Sequence, residues 1–159
     1  MQGAIGGVLG GILFALVEVA TSVATSLSPA DPFRVIASMV LESGAIAPGG
    51  PWDAAATTGL ALHFLLSVLY GVVLVAIVAV TRVAEIPRSM FLLLGIVYAM
   101  VLWTVNFLIV APAMFPEGGL GGVFQLGFAL AHPAYGLGLG GYLAAVRRQE
   151  EGDTVAGRS

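Results

Sequence analysis

Residues 59–80 read GLALHFLLSVLYGVVLVAIVAV, a stretch that contains no Asp, Glu, Lys or Arg. A helix needs about 20 mostly apolar residues to cross a bilayer core of about 30 Å. The stretch therefore predicts a transmembrane helix. We expect this helix to begin just after Asp53, whose carboxylate can cap the first turn, and Trp52 lies where an interfacial aromatic residue is expected.

Three further apolar stretches predict three further spans. The four predicted spans are residues 3–27, 54–80, 89–111 and 123–146, and together they form a single domain over residues 1–146. The polar tail, residues 147–159, is expected to be frayed. The predicted fold class is an all-α membrane protein, a four-transmembrane-helix bundle.

One short extra helix is predicted between the first two spans, over residues 32–43. Its apolar face carries Phe33, Ile36 and Val40, and its polar face carries Arg34, Ser38 and Glu42. About 12 residues are too few to span a bilayer, and a two-sided helix of this length suits the membrane interface. Asp31 is expected to cap this helix, with Pro32 in its first turn.

The composition agrees with a membrane protein and excludes several kinds of function. Of the 159 residues, 58% are hydrophobic and 9% are charged, whereas soluble domains contain about 25% charged residues. The net charge of −3 includes no basic run, so nucleic acid is not an expected partner. Cysteine is absent, which excludes disulfides, thiolate metal ligands and covalent haem attachment.

The basic residues predict the orientation. Arg82, Arg88, Arg147 and Arg148 lie at one end of the predicted bundle, and only Arg34 flanks the other end. Cationic loops stay in the cytoplasm, so both termini are predicted to be cytoplasmic. No Lys or Arg precedes the first span and Glu18 interrupts it, so we interpret this segment as a retained helix and not a cleaved signal peptide.

An internal repeat is visible in the spans. The second span contains His63, Ser67 and Gly71 at spacings of four, and the fourth contains His132, Gly136 and Gly140 at the same spacings. The first span has Gly7, Gly11, Ala15 and Glu18 where the third has Gly95, Ala99, Trp103 and Asn106. The pattern predicts a duplicated helical hairpin, with chance similarity of apolar sequence as the alternative.

Helical spacing places the polar residues of the four spans on inward faces. Glu18, His63, Asn106 and His132 all fall roughly 8 to 14 Å below the end opposite the termini, at 1.5 Å per residue. A carboxylate with two imidazoles is a possible transition-metal ligand set, and Asn106 would be a weak fourth ligand.

Two other interpretations of these residues stay open. His63 and His132 could be opposed axial ligands of a haem b, with Tyr70, Tyr135 and Gly136 beside the ring. Alternatively, the imidazoles and the Glu18 carboxyl only hydrogen-bond the helices together. Pro133 removes one backbone hydrogen bond next to His132, so a kink is expected there.

The function predicted from these features is that of a non-catalytic subunit. The chain has short loops, no phosphate-binding loop and no paired nucleophile and base, so an enzyme is not expected. We expect an accessory subunit of a larger membrane assembly, with the lipid bilayer and other membrane subunits or further copies of itself as partners. The alternative is a small transporter or channel that uses Glu18 and the histidines as a proton or cation relay.

Several short motifs resemble a group of small, uncharacterised prokaryotic membrane proteins. The motifs are PFRVIA at 32–37, HFLLS at 63–67 with Tyr70 and Gly71, Trp103 with Asn106, Phe107 and Pro112, and His132 with Tyr135, Gly136 and Gly140. The resemblance covers most of the chain. It implies four helices in a prokaryotic inner membrane and implies no particular activity.

Overall fold

The structure is a computed structural model that describes residues 1–41, 51–81, 87–114 and 122–156. The described chain is all-α. Its helices are α1 (Gln2–Ala24), α2 (Asp31–Ala37), α3 (Ala54–Thr81), α4 (Met90–Val105), α5 (Ala111–Met114) and α6 (Gly122–Ala156), and a π-helical turn (Asn106–Val110) joins α4 to α5. The all-α class was predicted from the sequence.

Three helical segments are long and apolar enough to cross a membrane. These segments are Gln2–Ala24, Ala54–Thr81 and Met90–Ala113. Helix α6 is longer but less apolar, because it includes many glycines, His132, Pro133 and a charged C-terminal part. Length and composition therefore support three spans among the described residues, and they do not confirm the predicted fourth.

The long helices pack in the order α3, α1, α6, α4. Helix α1 contacts α3 on one side and α6 on the other, and α6 also contacts α4. No comparably close backbone packing joins α3 to α4. The bundle is therefore closely packed on three sides, and the fourth side leaves space between α3 and α4.

Glycines allow both hairpins to pack closely, and they do so in the same register. A Cβ added to Gly7 would collide with the carbonyl oxygen of Ser67, and a Cβ added to Gly95 would collide with that of Gly136. These are pairs of positions that the predicted repeat equates. Gly71 and Gly140 repeat the relation, since they lie against the carbonyl oxygens of Gly3 and Phe91.

Helix α2 differs from the predicted interfacial helix. It ends at Ala37, and residues 42 and 43 of the prediction lie outside the described residues. All seven of its residues are buried, whereas the two-sided pattern predicted an exposed polar face. The physical reason is that Arg34, on that face, is paired with two carboxylates and not with water. Helix α2 packs on α3 and closes one end of the bundle.

The cap of α2 also differs from the expectation. Ala30 is the N-cap residue, and Asp31 is the first residue of the helix. The Asp31 carboxylate accepts hydrogen bonds from the Ser28 N–H at 2.9 Å and from Arg34 at 2.8 Å. Asp53 does cap α3 as predicted, since its Oδ1 accepts a hydrogen bond from the Ala56 N–H at 2.8 Å.

The last two long helices extend beyond their predicted bounds. The helix that begins at Met90 continues past residue 111 to Met114, and it widens into the π turn on the way. Ala111 donates its N–H to Asn106, five residues back. Helix α6 continues through Pro133 and past residue 146 to Ala156, so the described part of the tail is helical.

Candidate functional site

A cavity of about 220 Å³ lies among the long helices, at the end of the bundle that α2 closes. Most of its wall is apolar, and six aromatic side chains line it: Phe14, Tyr70, Trp103, Phe107, Phe128 and Tyr135. Val35 and Ile36 of α2 form the wall at the closed end, together with Met39 just after this helix. The cavity borders the space between α3 and α4, which is the side of the bundle where the helices are not closely packed.

Most of the predicted site residues line this cavity. His63, His132, Asn106, Tyr70 and Tyr135 do so, and Ser67 and Gln125 add further polar groups. Glu18 and Gly136 are not part of the lining. The structure therefore brings together five residues of the predicted set from α3, α6 and the π turn, and it separates two from them.

The two imidazoles are buried, and each is hydrogen-bonded to a backbone carbonyl oxygen, His63 to one on α1 and His132 to one on its own helix. His63 donates its Nε2–H to the carbonyl oxygen of Gly11 at 2.8 Å, and His132 donates its Nδ1–H to the carbonyl oxygen of Phe128 at 2.6 Å. A carbonyl oxygen only accepts, so the nitrogen that faces it carries the hydrogen. Both rings contact Phe14, with centroid distances of 5.1 and 5.0 Å.

Tyrosine hydroxyls connect the helices around the cavity. Tyr135 donates to the Ser67 carbonyl oxygen at 2.7 Å and joins α6 to α3. Tyr70 donates to Asn106 Oδ1 at 3.4 Å, and Tyr98 donates to the Tyr70 carbonyl oxygen at 2.8 Å. The last two bonds bridge the side on which α3 and α4 are not closely packed. Tyr98 was not among the predicted site residues. A polar hydroxyl among the apolar residues of α4 was the only sequence signal for it.

Glu18 is turned inward as expected, but it lies apart from the imidazoles' hydrogen bonds. The residue is 2% exposed, and its Oε1 has no hydrogen-bond partner in the described part of the chain. Its carboxyl group packs on α6 at Gly127, where an added Cβ would lie 3.1 Å from Oε2. Gly127 provides the space for this carboxyl group.

The predicted metal ligands do not form a ligand set in the structure. Among the described residues, no group of three or more His, Asp or Glu side chains could hold a metal ion. The physical reason is that Glu18 faces Gly127, while each imidazole directs an N–H at a backbone carbonyl. Gly136, which was predicted to lie beside a haem, packs directly on Gly95, and haem binding stays a prediction.

A buried ion-pair cluster holds α2 over the cavity. The Arg34 guanidinium donates to Asp31 at 2.8 Å, to Asp53 at 3.2 Å and to the Pro51 carbonyl oxygen. The hydrogen bond from the Ala56 N–H, together with Arg34, lowers the pKa of the Asp53 carboxyl group below its usual value. Asp31 and Arg34 were predicted as a cap and a surface residue. Their separation by three residues, which places them on the same face of a helix, was the sequence signal for an ion pair.

The π turn forms one wall of the cavity. Asn106, Phe107 and Val110 of this turn line it together with Ala111. Pro112 has no N–H, so the regular hydrogen bond to Leu108 cannot form and the backbone widens just before it. The sequence prediction took Pro112 as the end of the span. Pro133 shows that a proline alone does not predict such a turn, since α6 continues through it as an α-helix.

These features define a class: an all-α protein in which long helices, three of them apolar enough to span a membrane, surround an apolar cavity with two buried histidines. The chain belongs to a family of unknown function, DUF6789, whose model matches residues 1–154. The predicted resemblance to an uncharacterised group is thereby confirmed. No match was found among curated proteins or among solved structures.

Proposed function

We propose that the protein crosses the bilayer four times and binds a small, largely apolar molecule from the lipid phase in its cavity. Helix α6 would be the fourth span because it packs between α1 and α4, both of which are apolar enough to cross a membrane. The shared register of the two hairpins supports a duplicated hairpin, in which α4 and α6 cross the membrane as α1 and α3 do.

The observation that carries the binding proposal is the apolar cavity. An engineered apolar cavity of about 150 Å³ takes up benzene, so a cavity of about 220 Å³ has room for one or two fused rings. Leu66 on α3, Trp103 on α4 and Phe107 in the π turn line it and are half-buried. These residues flank the gap between α3 and α4, which would open towards the acyl chains.

The proposed orientation in the membrane follows from the positions of the arginines in the sequence. Both termini would be cytoplasmic in a prokaryotic inner membrane, and the cavity would then lie in the outer half of the bilayer. A binding protein without chemistry of its own suits an accessory subunit of a larger assembly, and this role stays a prediction. The proton or cation relay through Glu18 and the histidines also stays a prediction. The Glu18 side chain packs at Gly127 and does not line the cavity.

A cavity-filling substitution tests the binding proposal. Val110 lines the cavity from the π turn, whereas Val105 on the same helix is 41% exposed and does not line it. We expect Val110→Phe to weaken naphthalene binding about tenfold or more, because the larger side chain occupies the same space. Val105→Phe should leave binding unchanged. Ligand-observed NMR on protein in lipid nanodiscs measures both variants.

Naphthalene partitions into lipid, so empty nanodiscs of the same composition give the baseline. Uptake by the natural protein that does not exceed this baseline contradicts the proposal. Equal binding by the two phenylalanine variants places the bound naphthalene outside the cavity and contradicts it as well.

A further inference from the structure

Each of the two imidazoles has one ring nitrogen that its hydrogen bond to a backbone carbonyl oxygen does not use. His63 uses Nε2 on Gly11 and His132 uses Nδ1 on Phe128. A neutral imidazole has one N–H and one lone pair. The second nitrogens, Nδ1 of His63 and Nε2 of His132, are therefore hydrogen-bond acceptors. Neither has a hydrogen-bond partner within the described ranges.

The tyrosine hydroxyls around the cavity do not supply the missing donors. Tyr135 donates its hydrogen to Ser67 and Tyr70 donates to Asn106. Both hydroxyl hydrogens are thus directed at other protein atoms. An acceptor left without a donor in an apolar site is unfavourable, and a bound molecule with an O–H group would satisfy it.

We infer that the cavity selects lipophilic ring compounds that carry a hydroxyl group, that is, molecules of the phenol or hydroquinone type. The inference rests on the proposed binding function and names its ligand class. The aromatic side chains suit a flat ring, since Phe14 contacts both imidazoles and Trp103 stacks on Phe107 at 5.4 Å. The hydroxyl hydrogen of the ligand would be donated to the free nitrogen of His63 or His132.

A pair of probes of the same shape tests the inference. The probes are 1-naphthol and 1-methylnaphthalene, which differ in a hydroxyl against a methyl group. Their affinities for the natural protein in nanodiscs are measured by ligand-observed NMR and corrected for partition into empty nanodiscs. We expect 1-naphthol to bind about five to ten times more tightly, the effect of one net hydrogen bond.

Variants assign the preference to the imidazoles. His63→Phe and His132→Phe keep a ring but remove the acceptor, so at least one of them should reduce the 1-naphthol preference to about one. Leu130→Phe is the matched control, since Leu130 lies on α6 and is 52% exposed. It should keep the preference.

The outcomes separate the two proposals. Equal binding of the two probes by the natural protein overturns the ligand class and leaves the cavity-binding function standing. A preference that survives in both histidine variants also overturns it, because the imidazoles are then not the acceptors. Failure of naphthalene, 1-naphthol and 1-methylnaphthalene alike to bind above the lipid baseline overturns the proposed function itself.

Discussion

Arg34 is buried between two carboxylates, although the sequence placed it on an exposed helix face. Its side chain and that of Asp31 are each 2% exposed, while Asp53 is 49% exposed. A buried guanidinium is tolerated when its hydrogen-bond donors are satisfied, and here Asp31, Asp53 and the Pro51 carbonyl satisfy them. The cluster therefore fixes α2, and with it the closed end of the cavity.

Arg34→Met should destabilise the protein strongly, by about 3 kcal/mol, because it removes the cation that balances the charge of the buried Asp31 carboxylate. Unfolding of the purified protein in one detergent, by heat or denaturant, measures the change. The double variant Arg34→Met with Asp31→Asn should recover part of the loss, since both charges are then removed. Arg88→Met, at an exposed arginine, should change stability little, and an equal loss in both arginine variants would refute this account.

The burial of the site residues could be predicted from the sequence, but their partners could not. Helical spacing predicted that Glu18, His63 and His132 face inward, and all three are buried. Spacing along one helix does not define which atom of another helix a side chain meets. Glu18 faces α6 because Gly127 leaves space there, and that contact depends on how α1 and α6 are placed relative to each other.

At the scale of helices, glycine contacts define the two hairpins. Gly7 lies on Ser67 as Gly95 lies on Gly136, so the repeat in the sequence corresponds to a repeat in packing. Close approach of small residues is the main source of helix association in lipid, where apolar side chains gain nothing by leaving the solvent. These matching contacts support the duplicated hairpin, which stays a prediction.

Two alanine substitutions on α6 test this packing. A Cβ on Gly136 would collide with the backbone of Gly95 and Ile96, whereas a Cβ on Gly141 would meet Leu92 Cδ2 at 3.7 Å, an ordinary contact. Gly136→Ala should lower stability by about 1–3 kcal/mol because the helices must separate. Gly141→Ala should be neutral or slightly stabilising, since alanine favours a helix. Equal stability of the two variants in detergent unfolding would show that α4 and α6 do not pack through Gly136.

Local sequence pattern was least informative for α2 and the π turn. The apolar and polar faces of α2 match an interfacial helix, and only the pairing of Arg34 with Asp31 and Asp53 explains its burial. Pro112 is a usual helix end, but here the chain continues to Met114 because a wider turn accommodates the missing N–H. In both places, tertiary contacts and backbone adjustment determine the structure.

At the scale of the whole molecule, the number of spans depends on α6. Its glycines and polar residues make it less apolar than the other long helices, yet these are the residues that face its neighbours. Gly136 and Gly140 face α4, and Gly138 faces α1. A helix enclosed by two others can cross a bilayer with fewer apolar residues than a helix that faces lipid on most sides.

The most direct test of the account is the accessibility of single cysteines. The protein has no natural cysteine, so each introduced thiol reports one position, and Gln2, Trp52, Arg88 and Arg148 are exposed sites. With four spans and cytoplasmic termini, a membrane-impermeant maleimide added to intact cells should label Trp52→Cys alone. Gln2→Cys, Arg88→Cys and Arg148→Cys should react only after permeabilisation. Labelling of Gln2→Cys and Arg148→Cys from opposite sides would mean an odd number of spans and would contradict the four-helix account.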